Sequence, residues 1–81
     1  MNNPEINKYG DKFWRNKEGK LHREDGPAVE FAHGSKLWYL NDKCHRDDGP
    51  AVERTNGHKE YWINNTKYNS LEEGLMEEAL K

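Results

Sequence analysis

The sequence predicts a mainly β fold, an antiparallel meander of about three 23-residue β-hairpin repeats closed by a short C-terminal capping helix. Three observations carry this. His22-Arg23-Glu24-Asp25-Gly26-Pro27-Ala28-Val29-Glu30 returns 23 residues later as His45-Arg46-Asp47-Asp48-Gly49-Pro50-Ala51-Val52-Glu53. The flanks repeat at the same shift, His33-Gly34-Ser35-Lys36-Leu37-Trp38-Tyr39 onto Asn56-Gly57-His58-Lys59-Glu60-Tyr61-Trp62. A partial copy, Tyr9-Gly10-Asp11-Lys12-Phe13-Trp14, lies upstream with one extra residue near Glu18. Where a third His-Arg loop is due, the chain instead reads Tyr68-Asn69-Ser70-Leu71-Glu72-Glu73, a helix start. A fixed period of this length means stacked supersecondary units, each unable to bury its apolar side alone.

Taken in order, residues 1–8 are polar, contain Pro4 and read as a flexible lead-in to a single domain. Residues 9–69 form the repeat array. Within a unit, Ala28–Ala32 and Lys36–Leu40 are β-prone runs separated by His33-Gly34, a turn in which Gly can take positive φ. Ala51–Thr55 and Lys59–Ile63 repeat this around Asn56-Gly57. Asn41-Asp42 and Asn64-Asn65 supply tight turns, because Asn and Asp tolerate left-handed geometry. The first unit uses a longer loop there, Asn16-Lys17-Glu18-Gly19.

Alternation assigns faces. Trp14, Trp38 and Tyr61 align in one column, and Leu40 and Ile63 in another two residues on; these are the expected core. Phe13, Leu37, Glu60 and then Arg15, Tyr39, Trp62 fill the intervening columns, which mix charge with aromatics as a half-exposed face does. Residues 70–81 are the helix. Ser70 and Glu73 form a capping box, and Leu71, Leu75, Met76, Ala79 and Leu80 make an apolar stripe expected to dock on the open end of the sheet. Gly74 costs about 1 kcal/mol of helix propensity relative to Ala, so packing must hold this helix.

Composition bounds the rest. Of 81 residues, 32% are apolar and 35% charged, so three Trp, four Tyr and two Phe must carry much of the burial. The net charge of −2 argues for neither nucleic acid nor membrane. Glu72, Glu73, Glu77 and Glu78 against Lys81 make the helix acidic. Cys44 is the only cysteine, which leaves no intrachain disulfide and favours a reducing compartment. It occupies the repeat slot of Leu21 and reads as a small buried apolar residue. No apolar run is long enough for a signal peptide or a membrane span, so the expected location is cytoplasmic, with no membrane partner.

His22 with Asp25, and His45 with Asp48, have the residue types of acid–base pairs or metal ligands. The structural reading is stronger, because a set that recurs once per unit does the same structural job in each. Asp-Gly-Pro is a turn string, and His and Arg beside the acids can knit neighbouring loops. One Cys and four scattered His lack zinc-site spacing, no Gly-rich phosphate cradle opens a helix, and no nucleophile sits beside a fixed base. The expectation is a protein that is not an enzyme and uses no metal or cofactor.

The string Gly34-Ser35-Lys36-Leu37-Trp38-Tyr39-Leu40-Asn41-Asp42-Lys43-Cys44-His45-Arg46-Asp47-Asp48-Gly49-Pro50-Ala51 resembles the MORN-variant repeat class, whose units read Gly-x-x-x-Trp-Tyr-x-Asn-Gly-Lys-x-His-Arg-x-Asp-Gly-Pro-Ala. The resemblance covers about three quarters of the chain and implies a β-hairpin meander. Asp42 and Asn65 stand where the pattern has Gly, which predicts looser turns there. Proteins resembling this class are frequent in bacteriophage and bacterial genomes, some as antitoxins. The resemblance therefore implies a small inhibitor, antitoxin or phage factor in host–virus interaction, in the host cytoplasm if phage-encoded.

Three functions compete. The first is a protein-binding inhibitor whose hot-spot candidates are Arg15, Phe31, Tyr39, Arg54 and Trp62. The second is an RNA or single-strand binder, with Tyr39 and Trp62 stacking bases and Arg23 and Arg46 as candidate phosphate contacts. The third is self-association, a homodimer formed through exposed sheet edges.

Overall fold

The computed structural model describes residues 3–81. Nine short strands precede one helix: β1 (Glu5–Ile6), β2 (Lys12–Phe13), β3 (Val29–Glu30), β4 (Lys36–Leu37), β5 (Tyr39–Leu40), β6 (Lys43–Cys44), β7 (Val52–Glu53), β8 (Lys59–Ile63), β9 (Thr66–Tyr68) and α1 (Leu71–Ala79). Seven strands make one antiparallel sheet in the order β1-β2-β3-β4-β7-β8-β9, and β5 and β6 pair separately. The fold is the expected mainly β meander with a C-terminal helix.

The repeat is visible in the backbone. Lys36–Leu40 is one extended run broken at Trp38, whose N–H donates to the Ala51 carbonyl (2.8 Å) and whose carbonyl accepts from His45 N–H (3.2 Å). Its first half pairs with strands on both sides; its second half pairs only with its own hairpin return. β8 is the same run unbroken. In the first unit Trp14 copies Trp38, bonding to Ala28 and His22, and Arg15 bridges Leu21. Gly10, Gly34 and Gly57 turn the wider hairpins at φ of 86°, 111° and 90°. Asn41-Asp42 and Asn64-Asn65 turn the tight ones at φ of 49° to 68°, the left-handed pair that a two-residue hairpin needs.

Asp42 and Asn65 do not loosen these turns. Each joins its hairpin to the preceding unit: Asp42 Oδ1 accepts from Leu21 N–H (2.6 Å) while its own N–H donates to the Leu21 carbonyl (2.8 Å). Asn65 does the same to Cys44, at 3.2 and 2.9 Å. Glycine could make only the backbone half of that pair.

The register separates two sides of the sheet. Phe13, Val29, Leu37, Val52 and Glu60 lie opposite one another in one row; Ile6, Lys12, Glu30, Lys36, Glu53 and Lys59 form the next. The first row carries much of the core, and Ala28, Ala51 and Ile63, at 0%, 0% and 3% exposed, complete it from the alternate positions. Val29, Val52 and Cys44 are at most 6% exposed, and Leu37, Trp38, Tyr39 and Trp62 pack on the cluster of Cys44, Ala51 and Val52. The expected core is found at Ile63, 3% exposed, and corrected at Trp14, Trp38, Tyr61 and Leu40, which are half-buried like Phe13 and Leu37. On β3 and β7 the valines point to the side of Phe13 and Leu37, and the glutamates to the other, the side that Trp14 and Trp38 share. From Lys12 onward the outer row alternates in sign, worth about 0.2–1 kcal/mol per opposed pair, and a one-residue slip would bury charges.

Two further expectations change. The flexible lead-in is in part a strand, since Glu5–Ile6 pairs with Lys12–Phe13; Met1 and Asn2 lie outside the described residues. The helix caps β8 and β9 as expected, with Ser70 Oγ accepting from Glu73 N–H (3.1 Å), but not through its apolar stripe. Gly74 is buried, Leu71 and Glu78 are half-buried, and Leu75, Met76 and Leu80 are exposed. A Cβ at Gly74 would lie 2.9 Å from both Ile63 Cγ1 and Tyr68 Cδ2, so glycine lets the helix approach the sheet closely. Glu78 then anchors it, accepting from the Tyr68 hydroxyl, Asn64 Nδ2 (3.1 Å) and Lys81 Nζ (2.8 Å). These three donors hold its carboxyl down to about 2.

Candidate protein-binding face

The repeated loop is a clamp, and every residue of its motif has a part. The Arg46 guanidinium lies over the Trp38 ring at 3.9 Å and donates to Asp48 (2.9 Å), Glu53 (3.0 Å) and the Pro50 carbonyl (3.0 Å). Arg23 repeats this with Trp14 at 3.9 Å, and with Asp25, Glu30 and Pro27 at 3.1 Å each. Gly26 and Gly49 are not left-handed. They are glycine because a Cβ would sit 3.1 and 2.9 Å from the guanidinium carbon. His22 Nδ1 accepts from Asn41 N–H (3.1 Å) and His45 Nδ1 from Asn64 N–H (2.9 Å), fastening each unit to the next.

Arg23 and Arg46, the candidate phosphate contacts, are thus each bound to two carboxylates, with side chains only 23% and 22% exposed. An open groove of about 530 Å³ runs between the loops on this side, past Trp38, Glu24, Asp25, Asp47 and Asp48. It is the space left between stacked clamps, and its walls mix the carboxylates with Arg23, His45 and Arg46.

The other side collects the five hot-spot candidates. Phe31 and Arg54 follow Val29 and Val52 by two residues, Arg15 and Tyr39 follow Phe13 and Leu37, and Trp62 follows Glu60, so alternation puts all five on the core-row side. Arg15, Tyr39 and Trp62 run along it, one per unit, with Tyr39 opposite Cys44 and Trp62 opposite Lys67. Arg15 is exposed and donates to Glu5 (2.5 Å) and the Gly19 carbonyl (2.9 Å). Phe31 and Arg54 sit at equivalent places in the two wide turns; Phe31 stacks on His33 at 5.3 Å, and Arg54 is exposed. Tyr39 and Trp62 are half-buried, so they are supports of the core as well as surface. Burial pushes the Tyr39 phenol up.

The role of Glu60, placed by alternation in the mixed column, is what sequence reasoning missed. Glu60 closes the core row where other units have Phe13 and Leu37, and it accepts from His58 Nε2 (2.8 Å) and Trp62 Nε1 (2.9 Å), with Lys67 Nζ at 3.9 Å. The His58 and Trp62 bonds hold its carboxyl below the usual range. The signal was present: His58, Glu60 and Trp62 are spaced by two and so share one side of a strand. Glu60 fixes the indole and leaves a polar rim around an aromatic centre.

Cys44 is 5% exposed, and burial, followed by the nearby Glu60 charge, pushes its thiol up to about 12. Among the described residues, no group of three or more His, Cys, Asp or Glu is arranged to hold a metal, and no helix is long and apolar enough to cross a membrane. No protein-family model, curated protein or solved structure matches the chain.

Proposed function

We propose that the chain is a small non-catalytic binding protein, an inhibitor or antitoxin of phage or bacterial origin, that blocks a protein target through the side of the sheet bearing Arg15, Phe31, Tyr39, Arg54 and Trp62. One observation carries the reading: five residues of interface-favoured type, drawn from three units, fall on one side around a half-buried aromatic row. Aromatic and Arg side chains at the centre of a patch with a polar rim are the pattern of binding hot spots. The likeness to MORN-variant units supports the same class. RNA binding is the weaker reading, because Arg23 and Arg46 are already committed to carboxylates.

The experiment is a tagged pull-down from bacterial lysate, with and without RNase, comparing the wild-type chain with Arg54→Glu. Arg54 is exposed and outside the core, so this variant keeps the fold. One protein retained at near-equal ratio in both RNase arms, and lost with Arg54→Glu, is the expected outcome. Capture that vanishes with RNase would make the protein a nucleic-acid binder instead.

A further inference from the structure

Among the described residues, the five large apolar side chains most open to solvent are Ile6 (62%), Tyr9 (69%), Leu75 (41%), Met76 (67%) and Leu80 (78%). All five sit at the two ends of the array, and none in the units between. Ile6 and Tyr9 belong to the first hairpin, whose outer strand β1 pairs on one side only. Leu75, Met76 and Leu80 lie on the outward side of α1.

Charged side chains of opposite sign flank these ends, although Asp11 shares the first hairpin and Lys12 also lies opposite Glu30. Beside Ile6 and Tyr9 are Lys12, directly across from Ile6, and Lys8, whose ammonium lies 5.2 Å from the centre of the Tyr9 ring. Neither lysine forms an ion pair among the described residues. Beside the helix stripe are Glu72, Glu73 and Glu77, all exposed and likewise without an ion pair. Two like ends would oppose charges of one sign, so neither end suits a copy of itself. A basic apolar end and an acidic apolar end suit each other.

We infer that copies of this chain associate end to end, the Ile6–Lys8–Tyr9–Lys12 end of one molecule seating on the Leu75–Met76–Leu80 face of α1 of the next, with its glutamates beside the lysines. The contact is heterologous, using two different patches. Ile6 and Lys12 belong to the charged row, the alternate side from Tyr39 and Trp62. The inference does not depend on the proposed target.

Sedimentation velocity from about 5 µM to about 1 mM protein tests it, a range suited to a contact below standard interface size. The wild-type chain should shift from monomer to larger species as concentration rises, and less so at high salt. Ile6→Asp with Tyr9→Ser blocks one end; Met76→Asp with Leu80→Asp blocks the other. Each variant alone should stay monomeric, and an equal mixture should form a 1:1 heterodimer through the one intact pair of ends. A charge swap outside the paired rows guards against misfolding: Lys8→Glu should weaken association, and mixing it with Glu73→Lys and Glu77→Lys should restore it. A wild-type chain that stays monomeric throughout would overturn the inference. So would either blocked variant that still self-associates, or mixtures that never form heterodimers.

Discussion

The guanidinium carbon of Arg46 lies 3.9 Å from the centre of the Trp38 ring, and the same atom would lie 2.9 Å from a Cβ placed on Gly49. This contact explains why Trp, Arg and Gly recur together. A planar cation covers an aromatic face, and its edge bonds to the acids and carbonyl of its own loop. The array has so small an apolar core that such clamps substitute for side-chain burial.

Arg46→Ala should therefore cost about 2 kcal/mol, combining a partly exposed cation–π contact with charge-assisted hydrogen bonds discounted for solvent screening. Arg46→Lys should recover little, because an ammonium cannot stack flat and donate along two edges. Urea unfolding of the three proteins measures this. Equal stability of the Lys variant and wild type would show that only the charge matters.

Gly49→Ala should cost about 1–3 kcal/mol by crowding Arg46, although its backbone conformation is open to any residue. Gly19 is the control. It is left-handed at φ 81° but has open space around it, so Gly19→Asn should change stability by less than about 1 kcal/mol. The reverse order would place the need for Gly49 in its dihedrals.

Gly74→Ala should destabilise the helix by about 1–2 kcal/mol, since overpacking against Ile63 and Tyr68 outweighs the propensity gain of about 1 kcal/mol. Amide exchange across residues 71–79 reads this directly. Stronger protection in the variant would mean that the helix can stand off from the sheet.

The helix should also be the acid-labile element. Glu78 has its carboxyl held at about 2 in the fold, below the ordinary 4.5. A depressed carboxyl stabilises the fold fully above its unfolded value and loses that contribution as pH falls through the folded one. Helix protection should therefore decline from about pH 5 toward pH 2 in the wild type, and Glu78→Gln should flatten that decline. A pH profile identical in the two proteins would remove Glu78 as the anchor.

Cys44 should resist alkylation in the folded protein at neutral pH, because a buried thiol that ionises near 12 offers almost no thiolate. Iodoacetamide labelling should appear only as urea opens the sheet. Rapid labelling under native conditions would contradict its placement in the core.

Much of this was legible in the sequence. The period fixed the meander, Asn41-Asp42 and Asn64-Asn65 announced their turns, and Ser70 marked the start of the helix. The core was legible at Ile63 but not at the tryptophans, because aromatic size is not depth. Trp14 and Trp38 are half-buried and covered by arginines, while small residues, Ala28, Val29, Ala51 and Val52, are among those water hardly reaches. The helix stripe misled in the same way. Leu75, Met76 and Leu80 are apolar, yet only glycine at 74 permits close contact, so the neighbouring face docks. The role of Glu60 was not legible, because a carboxylate in that column has a meaning only once His58 and Trp62 are seen beside it. On the proposed binding side, the five candidate residues come from residue type and spacing, and only the packing shows that Tyr39 and Trp62 also support the core.

The most direct test of the proposed binding side is photo-crosslinking in cells, with p-benzoylphenylalanine placed at Phe31 or at Arg54 on one side and at Lys36 or Lys59 on the other. One protein captured from positions 31 and 54, and not from 36 or 59, is the expected result. Capture of the same protein equally from both sides, or of nucleic acid alone, would contradict it.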